Sequence, residues 1–221
     1  RLAEGRTVVT AEIGGRELMF KIESAGRHFA MNALGALALL DALGADVGQA
    51  VLGLGQWRPG GGRGRIERLL LDPMHPNLTL DLLDDSYNAN PASVGAALDT
   101  LAATAPGRDT TAAPKGRRIA ILGDMLELGP SELALHAEVA DHPALQSVSL
   151  VHCVGPLSRA LWDKLPQAKR GELAETAADL AALMPRLLEP GDVVLVKGSL
   201  GIGLRVVVDA IRKLGHPPPE Q

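Results

Sequence analysis

Short apolar runs alternate with longer mixed stretches along most of this chain, and the alternation predicts strands separated by helices. Residues 66–71 and 78–83 read as two strands joined around Pro73 and Pro76, and residues 118–122, 148–154 and 192–196 read as three more. Helical spacing covers 91–101, 131–140, 156–164, 177–188 and 203–214, the last ended by Gly215 and the Pro217-Pro218-Pro219 tail. Strands and helices in this order imply right-handed crossovers, so the predicted fold is α/β, with a mainly parallel sheet and helices on both faces.

The opening of the chain follows another pattern. Residues 7–13 and 16–22 alternate about Gly14-Gly15, a hairpin signal, and helical runs follow at 29–43, ending at Gly44, and at 47–54. The stretch Trp57-Arg58-Pro59-Gly60-Gly61-Gly62-Arg63-Gly64-Arg65 suits neither a helix nor a central strand. It predicts a boundary between domains at 1–58 and 59–221, with glycines 60–64 as a hinge. Residues 105–116 form a second Pro/Thr/Gly-rich loop.

Composition sharpens this picture. Hydrophobic residues make up 46% of the chain and aromatic residues 2%, the aliphatic balance of a buried parallel sheet. A net charge of −4 without a basic stripe argues against a nucleic-acid partner. The longest apolar stretch, 29–45, is broken by Asn32 and Asp41, which argues against a membrane span. Cys153 is the single cysteine and lies in an apolar run; it reads as a buried thiol in a reducing cytoplasm. The chain opens on Arg1 with no signal peptide, as a piece of a longer protein would.

The candidate chemistry falls where predicted strands end: Asp84-Asp85-Ser86-Tyr87-Asn88-Ala89-Asn90-Pro91, Gly123-Asp124-Met125-Leu126-Glu127, and Lys197-Gly198-Ser199. Helix capping accounts for Asn90 and Pro91. It does not account for Asp84, Asp85, Tyr87 and Asn88 together. In a parallel sheet the strand carboxyl ends share one edge, where ligands bind, so the three clusters are expected along one rim. Asp85 is a candidate anchor for a cation or a ribose hydroxyl. Lys197 is a candidate for a phosphate or carboxylate, or else a surface lysine, and Gly198 permits close backbone approach. Asp124 and Glu127 also suit a helix start. His28 and Asn32 share a helix face, and Arg65 follows the glycines. No G-x-x-x-x-G-K-S/T loop, H-E-x-x-H or G-x-S-x-G motif is present.

These strings give the sequence a family likeness. Gly26-Arg27-His28-Phe29-Ala30-Met31-Asn32, Gly64-Arg65-Ile66-Glu67, Ser86-Tyr87-Asn88-Ala89-Asn90-Pro91, Gly123-Asp124-Met125-Leu126-Glu127-Leu128-Gly129 and Lys197-Gly198-Ser199 together resemble the ATP-dependent Mur ligases of peptidoglycan synthesis. The resemblance implies the tail of a central ATPase domain followed by a Rossmann-like C-terminal domain, with the phosphate loop and most magnesium ligands upstream. It implies an amide ligase that uses ATP and Mg2+ to join D-alanyl-D-alanine to UDP-N-acetylmuramoyl-tripeptide through an acyl phosphate, in a cytoplasmic monomer. His28, Asn32, Arg65 and Asp85 match positions at the ATP site. Asp85, Arg65 and Lys197 are the implied catalytic residues. Ser86, Tyr87, Asn88, Asn90, Asp124 and Ser199 are the implied substrate contacts. Phe29 and Leu200 stand where many relatives have Asn and Arg. On this reading the chain alone does not ligate. The alternative is a free-standing nucleotide-binding module without catalysis.

Overall fold

The computed structural model describes residues 2–3, 6–23, 27–57, 60–107 and 116–216. They divide into two compact units, Arg1–Gly60 and Gly61–Gln221. In the first, β1 (Leu2–Ala3), β2 (Arg6–Ile13) and β3 (Arg16–Ile22) form an antiparallel sheet. Gly14 and Gly15 turn the β2–β3 hairpin at φ 57° and 75°, the left-handed pair that a two-residue turn demands and that glycine adopts without strain. Phe20 and Ile22 of β3 bury against Phe29, Ala30, Ala33 and Leu37 of α1 (Arg27–Ala42). Asp46 caps α2 (Val47–Leu54) by accepting the N–H of Gly48 at 2.8 Å.

The second unit is a six-stranded sheet in the order β4-β5-β9-β6-β7-β8. Its strands are β4 (Arg65–Leu70), β5 (Thr79–Asp85), β6 (Arg118–Gly123), β7 (Leu150–Val154), β8 (Arg170–Ala174) and β9 (Val193–Lys197). Only β4 among these runs antiparallel to its neighbour, as the hairpin reading expected. The direction of each crossover decides which face its helix covers. The steps from β5 outward to β8 place α3 (Pro91–Ala103), α4 (Glu132–Glu138) and α5 (Arg159–Lys164) between successive strands. The return step from β8 to β9 runs the opposite way, so constant handedness puts α6 (Ala177–Leu187) on the other face, followed by α7 (Arg205–Arg212).

Packing follows that division. Leu98 and Leu101 of α3 and Leu161 of α5 cover Leu83, Ala120, Leu122, Val151 and Leu195. Leu180 and Met184 of α6 and Val207, Val208 and Ile211 of α7 cover Leu82, Ile119, Ile121, Val194 and Val196. Both faces of β9 are thus buried, which is why its sequence shows no polar alternation. No helix among the described residues is long and apolar enough to cross a membrane.

Several expected elements differ. The helix expected at 131–140 narrows to α4, flanked by single 3-10 turns at Gly129–Ser131 and Val139–Asp141. That expected at 156–164 begins only at Arg159, after a turn. Strand β8 had no apolar run to announce it, because Arg170, Gly171 and Glu172 make a half-exposed edge with an irregular register against β7. Strand β5 extends through Asp84 and Asp85, which the sequence placed in the turn. The hinge expected at 60–64 does not extend through Gly62 and Gly64: Gly62 O accepts the N–H of Tyr87 at 2.9 Å, and Gly64 N–H donates to Asp84 O at 2.8 Å. Residues 108–115 of the expected loop and the Pro217-Pro218-Pro219 tail lie outside the described residues.

At the amino ends of β6 and β9, Arg117 grips the buried Asp192 with Nη2 at 2.7 Å and Nε at 3.1 Å, and its guanidinium pKa is raised chiefly by that hydrogen bonding. Asp192 also accepts the N–H groups of Arg117 and Glu189, each at 2.9 Å. In β7, His152 is buried, with Nδ1 accepting the Glu172 N–H at 2.8 Å and Nε2 meeting no hydrogen-bond partner among the described residues. Gly171 makes room for the ring, since a Cβ there would come within 2.6 Å of Nδ1. Burial, with a smaller contribution from Arg117, lowers the His152 pKa to about 4.

Asp192→Ala should lower unfolding free energy by about 3 kcal/mol in denaturant titrations, because it removes the two-pronged partner of a partly buried guanidinium and leaves it only Leu187 O and Glu189, the latter at 3.6 Å. The ring of His152 stays neutral in the folded chain while the unfolded chain takes up a proton below about 6.5. Stability is therefore complete above that pH and falls as pH drops toward 4. The loss should reach about 3 kcal/mol, and His152→Gln should flatten that part of the stability–pH curve.

Candidate functional site

Parallel register sets the rim. Asp85 is opposite Lys197, and Lys197 is opposite Leu122, so β5, β9 and β6 end together. Strand alternation then sorts the side chains by face. Asp85 and Lys197 point to the α3 side and Asp84 to the α7 side.

The Lys197 side chain is 2% exposed, so it is a buried cation rather than the surface lysine that remained open from sequence. Its Nζ donates to Asp85 Oδ2 at 2.6 Å and to Asn88 O at 2.9 Å. The Asp85 side chain retains 17% exposure and is the part of the pair that reaches solvent. On the other face, Asp84 accepts Ser86 Oγ–H at 2.7 Å and Arg212 Nη2–H at 2.9 Å. Arg212 also meets Glu67 through Nε at 2.9 Å and Nη2 at 2.6 Å, and hydrogen bonding to Glu67 is the main cause of its raised pKa. α7 is thereby tied to the β4–β5 edge.

The remaining rim groups are mostly engaged with one another. Asn90 Oδ1 accepts Ser93 N–H at 2.8 Å while Ser93 Oγ accepts Asn90 N–H at 3.0 Å, a capping box that starts α3 behind Pro91. Asn88 Oδ1 accepts the N–H of Ala89 at 2.9 Å. Asp124 is buried, accepts Ser158 N–H at 2.7 Å, and gives its carbonyl to Ser199 N–H at 3.0 Å. Ser199 Oγ accepts Leu126 N–H at 2.9 Å. Gly198 is required by the protein itself, since a Cβ there would lie 2.6 Å from Leu204 Cδ1 and 3.1 Å from Gly123 Cα.

Three successive N–H groups of the loop after β6 are therefore taken: Asp124 by Val154 O at 3.1 Å, Met125 by His136 Nε2 at 2.8 Å, and Leu126 by Ser199 Oγ at 2.9 Å. His136 is buried on α4, with Nδ1 2.6 Å from Glu132 O, so its Nδ1 carries the proton and Nε2 is left to accept. Beyond these bonds Glu127 is exposed at φ 63°, a left-handed conformation unusual for a residue with a side chain. Cys153 behind the rim is buried, and burial pushes its thiol up to about 12, so it is not a nucleophile at neutral pH.

Arg65 lies opposite Asp84 on the same rim, its side chain 64% exposed and its Nε 4.0 Å from Glu67 Oε1. By alternation it projects to the face opposite Asp85. The exposed Tyr87 carries the Arg63 guanidinium 4.2 Å above its ring centroid. Asn32 is exposed on α1 of the first unit, and the side chain of His28 lies outside the described residues. Sequence reasoning missed Arg63, Glu67, Arg212 and His136. Glu67 stood within a quoted string, but nothing in the linear pattern tied it to an arginine so far along the chain.

The sequence profile described as "Mur ligase, glutamate ligase domain" matches residues 65–200. The UDP-N-acetylmuramoyl-tripeptide--D-alanyl-D-alanine ligase of Escherichia coli is 32% identical across 86% of this chain and 38% of its own length. That of Mycobacterium tuberculosis is 33% identical across 84% of this chain and 38% of its own. The chain thus spans under two fifths of these relatives. Among solved structures, MurF from Acinetobacter baumannii superposes with TM-score 0.76 at 22% identity, over 96% of this chain and 43% of that one. MurF ligase from Thermotoga maritima, in complex with ADP, does so at 0.72 and 20% identity, over 96% and 44%. These two likenesses concern the fold. With the profile covering more than half of the sequence, the chain belongs to the Mur ligase family.

Proposed function

We propose that this chain supplies the C-terminal part of an ATP-dependent ligase that joins D-alanyl-D-alanine to UDP-N-acetylmuramoyl-tripeptide in peptidoglycan synthesis. The carrying observation is the likeness, at 29–33% identity over 83–89% of the chain, to relatives that bear that name. Residues 1–58 belong, on this reading, to the central ATPase domain and 59–221 to the C-terminal domain of a cytoplasmic monomer.

In the proposed reaction the tripeptide carboxylate attacks the terminal phosphorus of ATP, giving an acyl phosphate and ADP. The dipeptide amine then adds to the acyl carbon, loses a proton, and phosphate leaves. Negative charge accumulates in both steps, and cations fixed beforehand stabilise it most effectively. Arg65 offers an exposed guanidinium for phosphate oxygens, and the exposed edge of Asp85 suits a ribose hydroxyl. His28 and Asn32 are assigned to the nucleotide from the first unit.

Lys197 acts through Asp85 and Asn88, whose positions its buried ammonium holds. Ser86, Asn90, Asp124 and Ser199 give the rim its shape, and Tyr87 and Asn88, both exposed, face the substrate. ATP chemistry of this class uses Mg2+. Among the described residues no group of three or more His, Cys, Asp or Glu has the arrangement to hold a metal ion, so no magnesium ligand is assigned here.

The complete protein should release ADP and phosphate only when D-alanyl-D-alanine and UDP-N-acetylmuramoyl-tripeptide are both present, with the amide product seen by mass spectrometry. Nucleotide binding without product would favour the non-catalytic module. The 221-residue chain alone, which carries no G-x-x-x-x-G-K-S/T loop, should not ligate. In the complete protein, Arg65→Ala and Asp85→Ala should each lower turnover by about tenfold or more. Wild-type rates in both would remove these residues from the site.

A further inference from the structure

Arg63 is the rim cation that the proposed reaction has not used. Lys197 is paired with Asp85, Arg212 with Glu67 and Asp84, and Arg65 lies 4.0 Å from Glu67. Arg63 is exposed and has no acidic partner among the described residues; what holds it is the face of Tyr87, 4.2 Å from its guanidinium carbon. The backbone that carries the ring is itself held, because Tyr87 N–H donates to Gly62 O at 2.9 Å, one residue before Arg63. Gly62 fits there with φ 74°, and a Cβ in its place would come within 3.1 Å of Tyr87 N. The two segments thus lock together so that a planar cation lies over an aromatic face, two residues from Asp85.

We propose that Arg63, seated on Tyr87, receives the free carboxylate of the incoming dipeptide, an assignment that rests on the ligase reading above. Three properties select this ligand. A guanidinium offers two parallel N–H donors that match a carboxylate. Tyr87 is 44% exposed, which leaves apolar surface for the methyl groups of alanyl residues. A polyphosphate would instead call for a cradle of free backbone N–H groups. Those of Asp124, Met125 and Leu126 on this rim are already taken. The stacking keeps the guanidinium in place before the ligand arrives, which lowers the entropic cost of binding.

The test uses the complete ligase with two nucleophiles, D-alanyl-D-alanine and D-alanyl-D-alaninamide, which differ only in the carboxylate. The wild-type protein should show a KM for the amide about tenfold or more above that for the dipeptide. Arg63→Gln should raise the dipeptide KM by about the same factor, leave kcat within about twofold, and abolish the discrimination against the amide. The KM for ATP should stay unchanged. Arg63→Lys should fall between wild type and Arg63→Gln, and Tyr87→Leu should weaken dipeptide binding in the same direction, with melting temperatures confirming folded variants. Undiminished discrimination in Arg63→Gln, or a rise in the KM for ATP in its place, would overturn the assignment while leaving the ligase reading intact. Failure of the wild-type protein to ligate either nucleophile would overturn both.

Discussion

A buried ammonium holds the rim together. Lys197 ends a strand covered on both faces, and its charge is removed from water almost completely. Such a group is costly unless it is paired and hydrogen-bonded. Parallel register supplies the partner, because Asp85 is the residue opposite. A further bond from the same nitrogen reaches Asn88 O, so the course of the chain between β5 and α3 depends on it as well. One side chain thereby fixes the spacing of two strands and the conformation of the loop between one of them and its helix.

Around that pair the rim is closely self-satisfied. Asp84 and Arg212 brace the opposite face, Ser199 joins the loops after β6 and β9, and His136 fastens the first of these from below. Among the described residues, those of the rim that face outward include Arg63, Arg65, Tyr87, Asn88, Asn90 and Glu127, together with an edge of Asp85. Residues of this rim thus separate into those whose polar groups bond within the protein and those that face solvent. The left-handed Glu127 sits at the end of the most heavily bonded loop, where strain is tolerated because its neighbours are fixed.

The sequence made the α/β layout legible because β5, β6, β7 and β9 are apolar runs with both faces buried, and because Gly14-Gly15 and Asn90-Pro91 announce a turn and a cap. β8 was invisible for the complementary reason: an edge strand half in water carries no such run. The convergence of three separated polar clusters on one edge follows from parallel topology alone. What each side chain does there was not legible. Ser86, Asn90, Asp124 and Ser199 have the composition of ligand-binding residues, yet each has a side-chain oxygen bonded within the protein. Linear spacing carries no information on partners such as Arg212 for Asp84 or His136 for Met125, which are brought together only by the crossovers.

The most direct measurement is a double-mutant cycle on unfolding free energy with Lys197→Met, Asp85→Asn and the double variant. Asp85→Asn leaves the buried Lys197 ammonium without its counter-charge, whereas the double change removes both charges, so the expected results are a loss of about 3 kcal/mol for Asp85→Asn, a smaller loss for Lys197→Met, whose remaining carboxylate reaches solvent, and a coupling of about 2 kcal/mol or more. Strictly additive losses would show that the pair does not govern the rim.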